Sequence, residues 1–146
     1  MIFLLDLDNT LFDATHRLSL IKGEKKDWEA FFQAAKDDTP MWPTITIARA
    51  LRGPSNILIA VTGRPERIRG ITVEQLTKYR IPVLSLYMRG DKDHRPDYVV
   101  KEEVLDKHVI PVYGEIDARY AAFDDSPEVV AMYRRRGILT YDLGRE

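Results

Sequence analysis

Short apolar runs that stop abruptly in polar residues recur along this chain, and helical patterns fill the spaces between them. Ile2–Leu7, Ile57–Val61, Val83–Met88 and Tyr120–Phe123 are dominated by Ile, Val, Leu or aromatic residues, and each ends in polar residues or Gly. Such runs read as strands buried on both faces. Ile138–Leu143 offers a fifth. Between them, Asp27–Lys36 places Trp28, Phe31, Phe32 and Ala35 on one helical face, and Ile45–Leu51 does the same with Ile45, Ala48 and Leu51 before Gly53. Glu66–Tyr79 follows Pro65, Asp97–Val109 gathers Val100, Val104, Leu105 and His108, and Ser126–Arg136 stops at Gly137. Strands alternating with helices predict an α/β fold: a doubly wound, mainly parallel sheet with right-handed crossovers.

About 50 residues separate the first strand from the second, where a crossover needs roughly a dozen or more. The surplus predicts a small cap or flap insertion after the first strand, over approximately residues 13–42, within a single domain spanning 1–146. An extra packed core helix is the alternative. The absence of Cys excludes a disulfide framework, a thiol nucleophile and a cysteine zinc site. A net charge of −1 argues against a general polyelectrolyte binder but leaves room for a local basic groove. No apolar run approaches the roughly 20 residues that span a bilayer, and MIFLLDLDNT lacks the basic start of a signal peptide. The expectation is a soluble, cytoplasmic domain without a membrane partner.

In a doubly wound sheet, ligands bind outside the carboxyl ends of the strands. Asp6-Leu7-Asp8-Asn9-Thr10 follows the first strand, Thr62-Gly63-Arg64 the second, and Asp124-Asp125 the fourth. Lys101 lies on the helix after the third, with Asp97 one turn before it. Each has a plainer explanation: Asp-x-Asp as a turn, DDSPE as a helix start, Thr-Gly-Arg as a turn and cap, Asp97 and Lys101 as a surface ion pair. An unpaired carboxylate at a buried strand end is costly, however, and alternation puts Asp6 and Asp8 on one side of an extended segment. Asp124 or Asp125 would supply a third carboxylate for a hard cation such as Mg²⁺. The order and placement of all four elements carry the functional reading.

That set resembles the four motifs of the haloacid dehalogenase-like (HAD) phosphohydrolase superfamily, whose HAD-like Rossmannoid fold the whole chain would share. Within the superfamily the likeness is to the 3′-phosphatase domain of phage-type polynucleotide kinase/phosphatases. It rests on Arg17, Thr62-Gly63-Arg64, the RPDYVVKEE stretch over Arg95–Glu103, and Asp124-Asp125-Ser126 ahead of Val129-Val130 and Met132-Tyr133-Arg134-Arg135. Asn9 stands where the family commonly has Gly, a position Asn tolerates because it visits left-handed backbone. Tyr98 replaces one Asp of the usual pair. No G-x-x-x-x-G-K-[ST] occurs, so no P-loop kinase half is present.

The resemblance implies a Mg²⁺-dependent phosphomonoesterase in nucleic-acid end processing. Asp6 would be the nucleophile and form an aspartyl-phosphate; Asp8 would protonate the leaving oxygen and then activate water. Thr62 and Lys101 would hold the transferring oxygens, with Asp97 orienting Lys101. Arg17, Arg64, Thr10 and Gly63 would bind substrate, and Asp6, Asp8, Asp124 and Asp125 would hold the metal. A separate kinase or ligase in the same pathway is an expected partner. A nucleotidase for free mononucleotides is the alternative; a response-regulator-like phosphoacceptor is remote, because its adjacent acids would follow the first strand, not the fourth.

Trp28, Phe31, Phe32 or Trp42 could stack on a base, although the spacing of the first three favours core packing. His16, His94 and His108 have no metal-ligand spacing; His16 is a candidate for the site mouth, His94 for a loop and His108 for a helix end. Arg134-Arg135-Arg136 reads as a helix C-terminus that complements the dipole.

Overall fold

The computed structural model describes residues 1–145. Five strands, β1 (Ile2–Leu5), β4 (Ile57–Pro65), β5 (Ser85–Arg89), β6 (Tyr120–Asp124) and β7 (Leu139–Asp142), form one sheet in the order β5-β4-β1-β6-β7. All four pairings are parallel. Period-two alternation divides the central strands between two cores. Ile2, Leu4, Ile59 and Val61 face one side, where they meet Val104 of α4 (Asp97–Val104) and Val129, Met132 and Tyr133 of α6 (Pro127–Arg135). Leu5, Leu58 and Ala60 face the other, against Ile45 and Ala48 of α2 (Trp42–Ala50) and Leu76 of α3 (Arg69–Lys78). The fold is the α/β doubly wound sheet that the strand–helix alternation predicts.

Several boundaries differ from the sequence reading. The first strand ends at Leu5, not Leu7, because the Leu7 carbonyl accepts from the N–H groups of Thr10, Leu11 and Phe12 and folds the chain into a turn. Asn9 sits in that turn at φ 62°, the left-handed conformation anticipated for it. The second strand runs on to Pro65, with a register shift against β5 between Val61 and Pro65. The helix expected over Asp97–Val109 passes at Leu105 into a π-helical turn, Leu105–Val109, before α5 (Ile110–Tyr113).

Between β1 and α2 the chain makes an excursion. Strands β2 (Phe12–Asp13) and β3 (Thr39–Pro40) pair antiparallel and bring its two ends together. A 3-10 helix (Thr15–Ile21), α1 (Trp28–Gln33) and a second 3-10 turn (Ala34–Asp37) lie inside it. Asp27 caps α1 by accepting from the Ala30 N–H. Among the described residues, no helix is long and apolar enough to cross a membrane.

Candidate active site

Parallel pairing of β1 with both β4 and β6 aligns three strand ends, and the side chains just beyond them meet. Asp6 is buried; its Oδ1 accepts from Lys101 Nζ at 2.7 Å and its Oδ2 from Thr10 Oγ1 at 2.9 Å. Lys101, buried on α4, also donates to Asp124 Oδ2 at 2.6 Å, and Asp124 Oδ1 accepts from the Ser126 N–H at 3.0 Å. Asp6, Asp124 and Asp125 each bring one carboxylate oxygen within 4.8 Å of the others.

Electrostatics follow from three carboxylates facing one ammonium. Burial raises the Asp6 carboxyl well above its ordinary range; Lys101 opposes the rise, and Asp124 and Asp125 add to it. Asp125 is raised in the same direction by burial and by Asp124. Burial works to lower the Lys101 ammonium, but Asp6 and Asp124 outweigh it and hold the proton on. The cluster is short of positive charge, and its hard oxygen donors suit a divalent cation such as Mg²⁺.

Asp8 belongs to a second, separate network. Its Oδ1 receives Arg17 Nη2 at 2.8 Å and Arg64 Nη2 and Nε at 2.7 and 3.0 Å. Burial would raise its carboxyl, but the two guanidinium groups prevail and lower it. Its Oδ2 takes no hydrogen bond among the described residues, and Asp8 lines the pocket. Behind it lies Asp38, fully buried, which accepts from Arg17 Nε and Nη2 at 2.7 and 2.6 Å, from Arg64 Nη2 at 3.2 Å, and pairs with His16 Nε2 at 2.8 Å.

Four of the expected site side chains make their contacts within the protein. Arg17 and Arg64, expected on the substrate, are both buried, and Arg64 also lines the pocket. Their remaining donors go to the Phe31 carbonyl, Thr72 Oγ1 and Gln75 Oε1, so both grip Asp8 instead of facing solvent. Thr10, also expected on the substrate, gives its hydroxyl to Asp6. Asp97 does not orient Lys101. It is held by the Arg89 guanidinium, which also donates to the Gly63 carbonyl at 3.0 Å, while Lys101 finds its partners in Asp6 and Asp124. Gly63 does line the pocket, and a Cβ there would collide with the Asp97 carboxylate. Thr62 is buried in β4 at the pocket floor, its Oγ1 accepting from the Arg64 N–H at 3.2 Å.

The pocket holds about 680 Å³. Besides the acids and Lys101, its walls include Trp28, Phe31 and Phe32 on one element and Arg89, His94 and Arg95 on others. The three aromatics were expected to pack in a core; Phe32 does pack against Ala35, Ile68 and Met88, whereas Trp28 is exposed. His16 is drawn to Asp38 and His108 stacks on Tyr87 at 5.0 Å; His94 is the histidine that lines the pocket. Arg136, at the end of α6, is tied to Glu102 and Asp106.

Asp38 had no sequence signal, since Asp37-Asp38-Thr39-Pro40 reads as turn chemistry. Removing its charge breaks the buried pair with Arg17 and leaves Asp8, among the described residues, as the one carboxylate partner of both guanidinium groups, a defect worth about 3–5 kcal/mol. Asp38→Ala is therefore expected to lower the melting temperature by on the order of 10 °C, read by thermal denaturation. An unchanged melting temperature would show that water can replace the carboxylate.

Residues 1–144 match the family described as the polynucleotide kinase PNKP phosphatase domain. Among solved structures, a chain of the Pnkp1/Rnl/Hen1 complex superposes with a TM-score of 0.74 at 24% identity, covering 99% of this chain and 47% of that one. The present chain thus spans about half the length of that match. A HAD-like family hydrolase from Porphyromonas gingivalis gives 0.59 at 14% identity, covering 97% and 89% of the two chains. A hydrolase from Streptococcus pneumoniae TIGR4 gives 0.59 at 13%, covering 96% and 90%. At these identities the structural likeness concerns the fold. No curated protein sequence matches.

Proposed function

This chain belongs to the PNKP-type phosphatase-domain family of HAD-like phosphatases, and from that premise we propose that it is a Mg²⁺-dependent polynucleotide 3′-phosphatase working through an aspartyl-phosphate. The observation that carries the chemistry is the pairing of two unlike carboxylates at one pocket: Asp6 in the metal-type cluster, and Asp8 clamped by Arg17 and Arg64. The family match and the RNA repair complex support a nucleic-acid end as substrate, with a kinase or ligase as pathway partner.

In this reading Asp6 attacks phosphorus in line; the new bond is Asp6 O–P and the bond that breaks joins phosphorus to the 3′ oxygen. Asp8 gives its proton to that oxygen, then takes one from the water that attacks the aspartyl-phosphate and releases inorganic phosphate. The arginines keep Asp8 ionised in the free enzyme, which suits the second half of the cycle. The acid form needed in the first half would arise when the negative phosphate arrives beside it. Lys101 directs two of its three N–H donors to Asp6 and Asp124, so one remains for a phosphoryl oxygen. The Thr62 hydroxyl would hold another. Asp6, Asp124 or Asp125, and the Asp8 carbonyl would hold Mg²⁺, which when bound neutralises the charge that a carboxylate and a phosphate dianion bring together. We also propose that the excursion over approximately residues 13–42 acts as the cap over this pocket.

A substrate panel tests the reading: a 3′-phosphorylated oligonucleotide, its 5′ isomer, 3′- and 5′-mononucleotides and an aryl phosphate. The oligonucleotide 3′ end should give the highest kcat/KM. Equal or better turnover of 5′-mononucleotides would favour a nucleotidase. Excess chelator should bring turnover to background and added Mg²⁺ should restore it. Full turnover in chelator would remove the metal from the assignment.

A further inference from the structure

Three aromatic rings form one wall of the catalytic pocket: Phe32 packs against the small core of Ala35, Ile68 and Met88, and Trp28 stands out into the pocket. Trp28, Phe31 and Phe32 share a face of α1, a helix without a buried residue. Trp28 is 47% exposed, its ring stacked on Phe32 at 5.9 Å and edge-on to Phe31 at 5.6 Å. The cluster is braced from behind: the Arg17 guanidinium lies over Phe31 at 4.6 Å and that of Arg67 over Phe32 at 5.1 Å. Glu29, on the same helix, accepts from Arg67 Nε at 2.8 Å and ties α1 across the pocket edge. A braced, water-facing aromatic surface beside catalytic carboxylates marks a place where an apolar face is covered during function.

The size and charge of the pocket narrow what covers it. About 680 Å³ falls in the ~300–1,000 Å³ range of sites that enclose a whole small molecule, more than a phosphoryl group needs. The arginines of the rim do not form a free basic track. Arg67 pairs with Glu29, Arg89 with Asp97, and Arg95 with Asp93 and Glu103. With the rim charges answered, the aromatic wall is the surface left to read the organic part of the substrate. A flat π face meets a flat π face best, and every nucleobase has one.

Resting on the 3′-phosphatase reading, we propose that Trp28 is the platform on which the base of the phosphorylated terminal nucleotide stacks, with Phe31 and Phe32 as its backing. Such a platform demands a base without choosing which. A base lodged there has left its duplex, so the form bound is an unpaired 3′ end.

Two oligonucleotides test this, alike except that the 3′-phosphorylated terminal residue carries a base in one and is a stable tetrahydrofuran abasic unit in the other. The wild type should favour the base-bearing end in kcat/KM by about tenfold or more. Trp28→Ala should bring that ratio close to one, and Trp28→Phe should restore most of it. A direct readout uses the Asp6→Asn, Trp42→Phe chain, in which Trp28 is the only tryptophan. Its fluorescence should be quenched by the base-bearing end and not by the abasic one. A wild type that treats both ends alike, a Trp28→Ala chain that keeps the ratio, or unquenched fluorescence overturns the platform. The 3′-phosphatase reading is judged separately, by wild-type turnover of the 3′ against the 5′ isomer, a comparison that does not depend on Trp28.

Discussion

Asp6→Asn should reduce turnover of a 3′-phosphorylated end to background, a loss of more than about 10⁴-fold. An amide cannot become an acyl phosphate, and no neighbouring group stands in the same place: Asp124 is committed to Lys101 and the Ser126 N–H. The substitution should leave the fold intact. Asparagine has nearly the same shape, its oxygen can accept from Lys101, and its amide can donate to Thr10 Oγ1. Burial and the neighbouring acids hold the Asp6 carboxyl above its ordinary range, so ionised Asp6 works against folding at neutral pH, and a neutral side chain removes that cost. The variant should therefore melt no lower than the wild type. Acid quenching with ³²P-labelled substrate provides the check: label should appear on wild-type protein and not on the variant. Labelled variant protein would assign the nucleophile elsewhere.

Asp8→Asn should be severe and selective. Arg17 and Arg64 hold Oδ1, whereas Oδ2 takes no hydrogen bond among the described residues, and Asp8 lines the pocket. Asparagine keeps an acceptor for the arginines and loses the proton carrier. A sugar alkoxide is a strong base and cannot leave without that proton; a nitrophenolate can. General acid–base catalysis is worth ~10²–10⁴-fold, and hydrolysis of a 3′-phosphorylated sugar should fall by about that factor. The burst from an aryl phosphate should fall far less, and steady-state turnover should then stall at dephosphorylation, which needs the same carboxylate. Burst and steady-state rates for both substrates decide it. An equal loss in both bursts, with metal affinity unchanged, would mean that Asp8 is not the leaving-group acid.

What the sequence disclosed depended on how local each signal was. Asp6 and Asp124 stood out because apolar runs stop at them, and the parallel sheet then places those stops side by side. Taken singly Lys101 is the least specific signal, and its place in the order of the motifs marks it for the site; the packing of α4 on the sheet brings it to Asp6, 95 positions away. Arg17 and Arg64 were noticed for their chemistry, but their buried carboxylate partners, Asp8 and Asp38, could not be read from sequence spacing. Asp38 was invisible in a turn-like string. The spacing of Trp28, Phe31 and Phe32 told correctly that they share a face. Periodicity does not say what a face meets, and this one meets the pocket.

The strand order has a consequence for how the enzyme comes into being. β1, which precedes the other strands of this sheet in the sequence, has its two ladders with residues 57–60 and 120–123. Until β6 emerges, half of the edge of β1 has no partner, and Asp6 has neither Asp124 nor Asp125 beside it. Pairings between such distant residues incur the full loop-closure entropy before they return any contact energy, and they place folding toward the slower end of single-domain rates. The acidic cluster thus assembles only once β6 has joined the sheet. During synthesis, a nascent β1 is an apolar segment ending in unpaired acids, and those charges oppose its self-association while it waits.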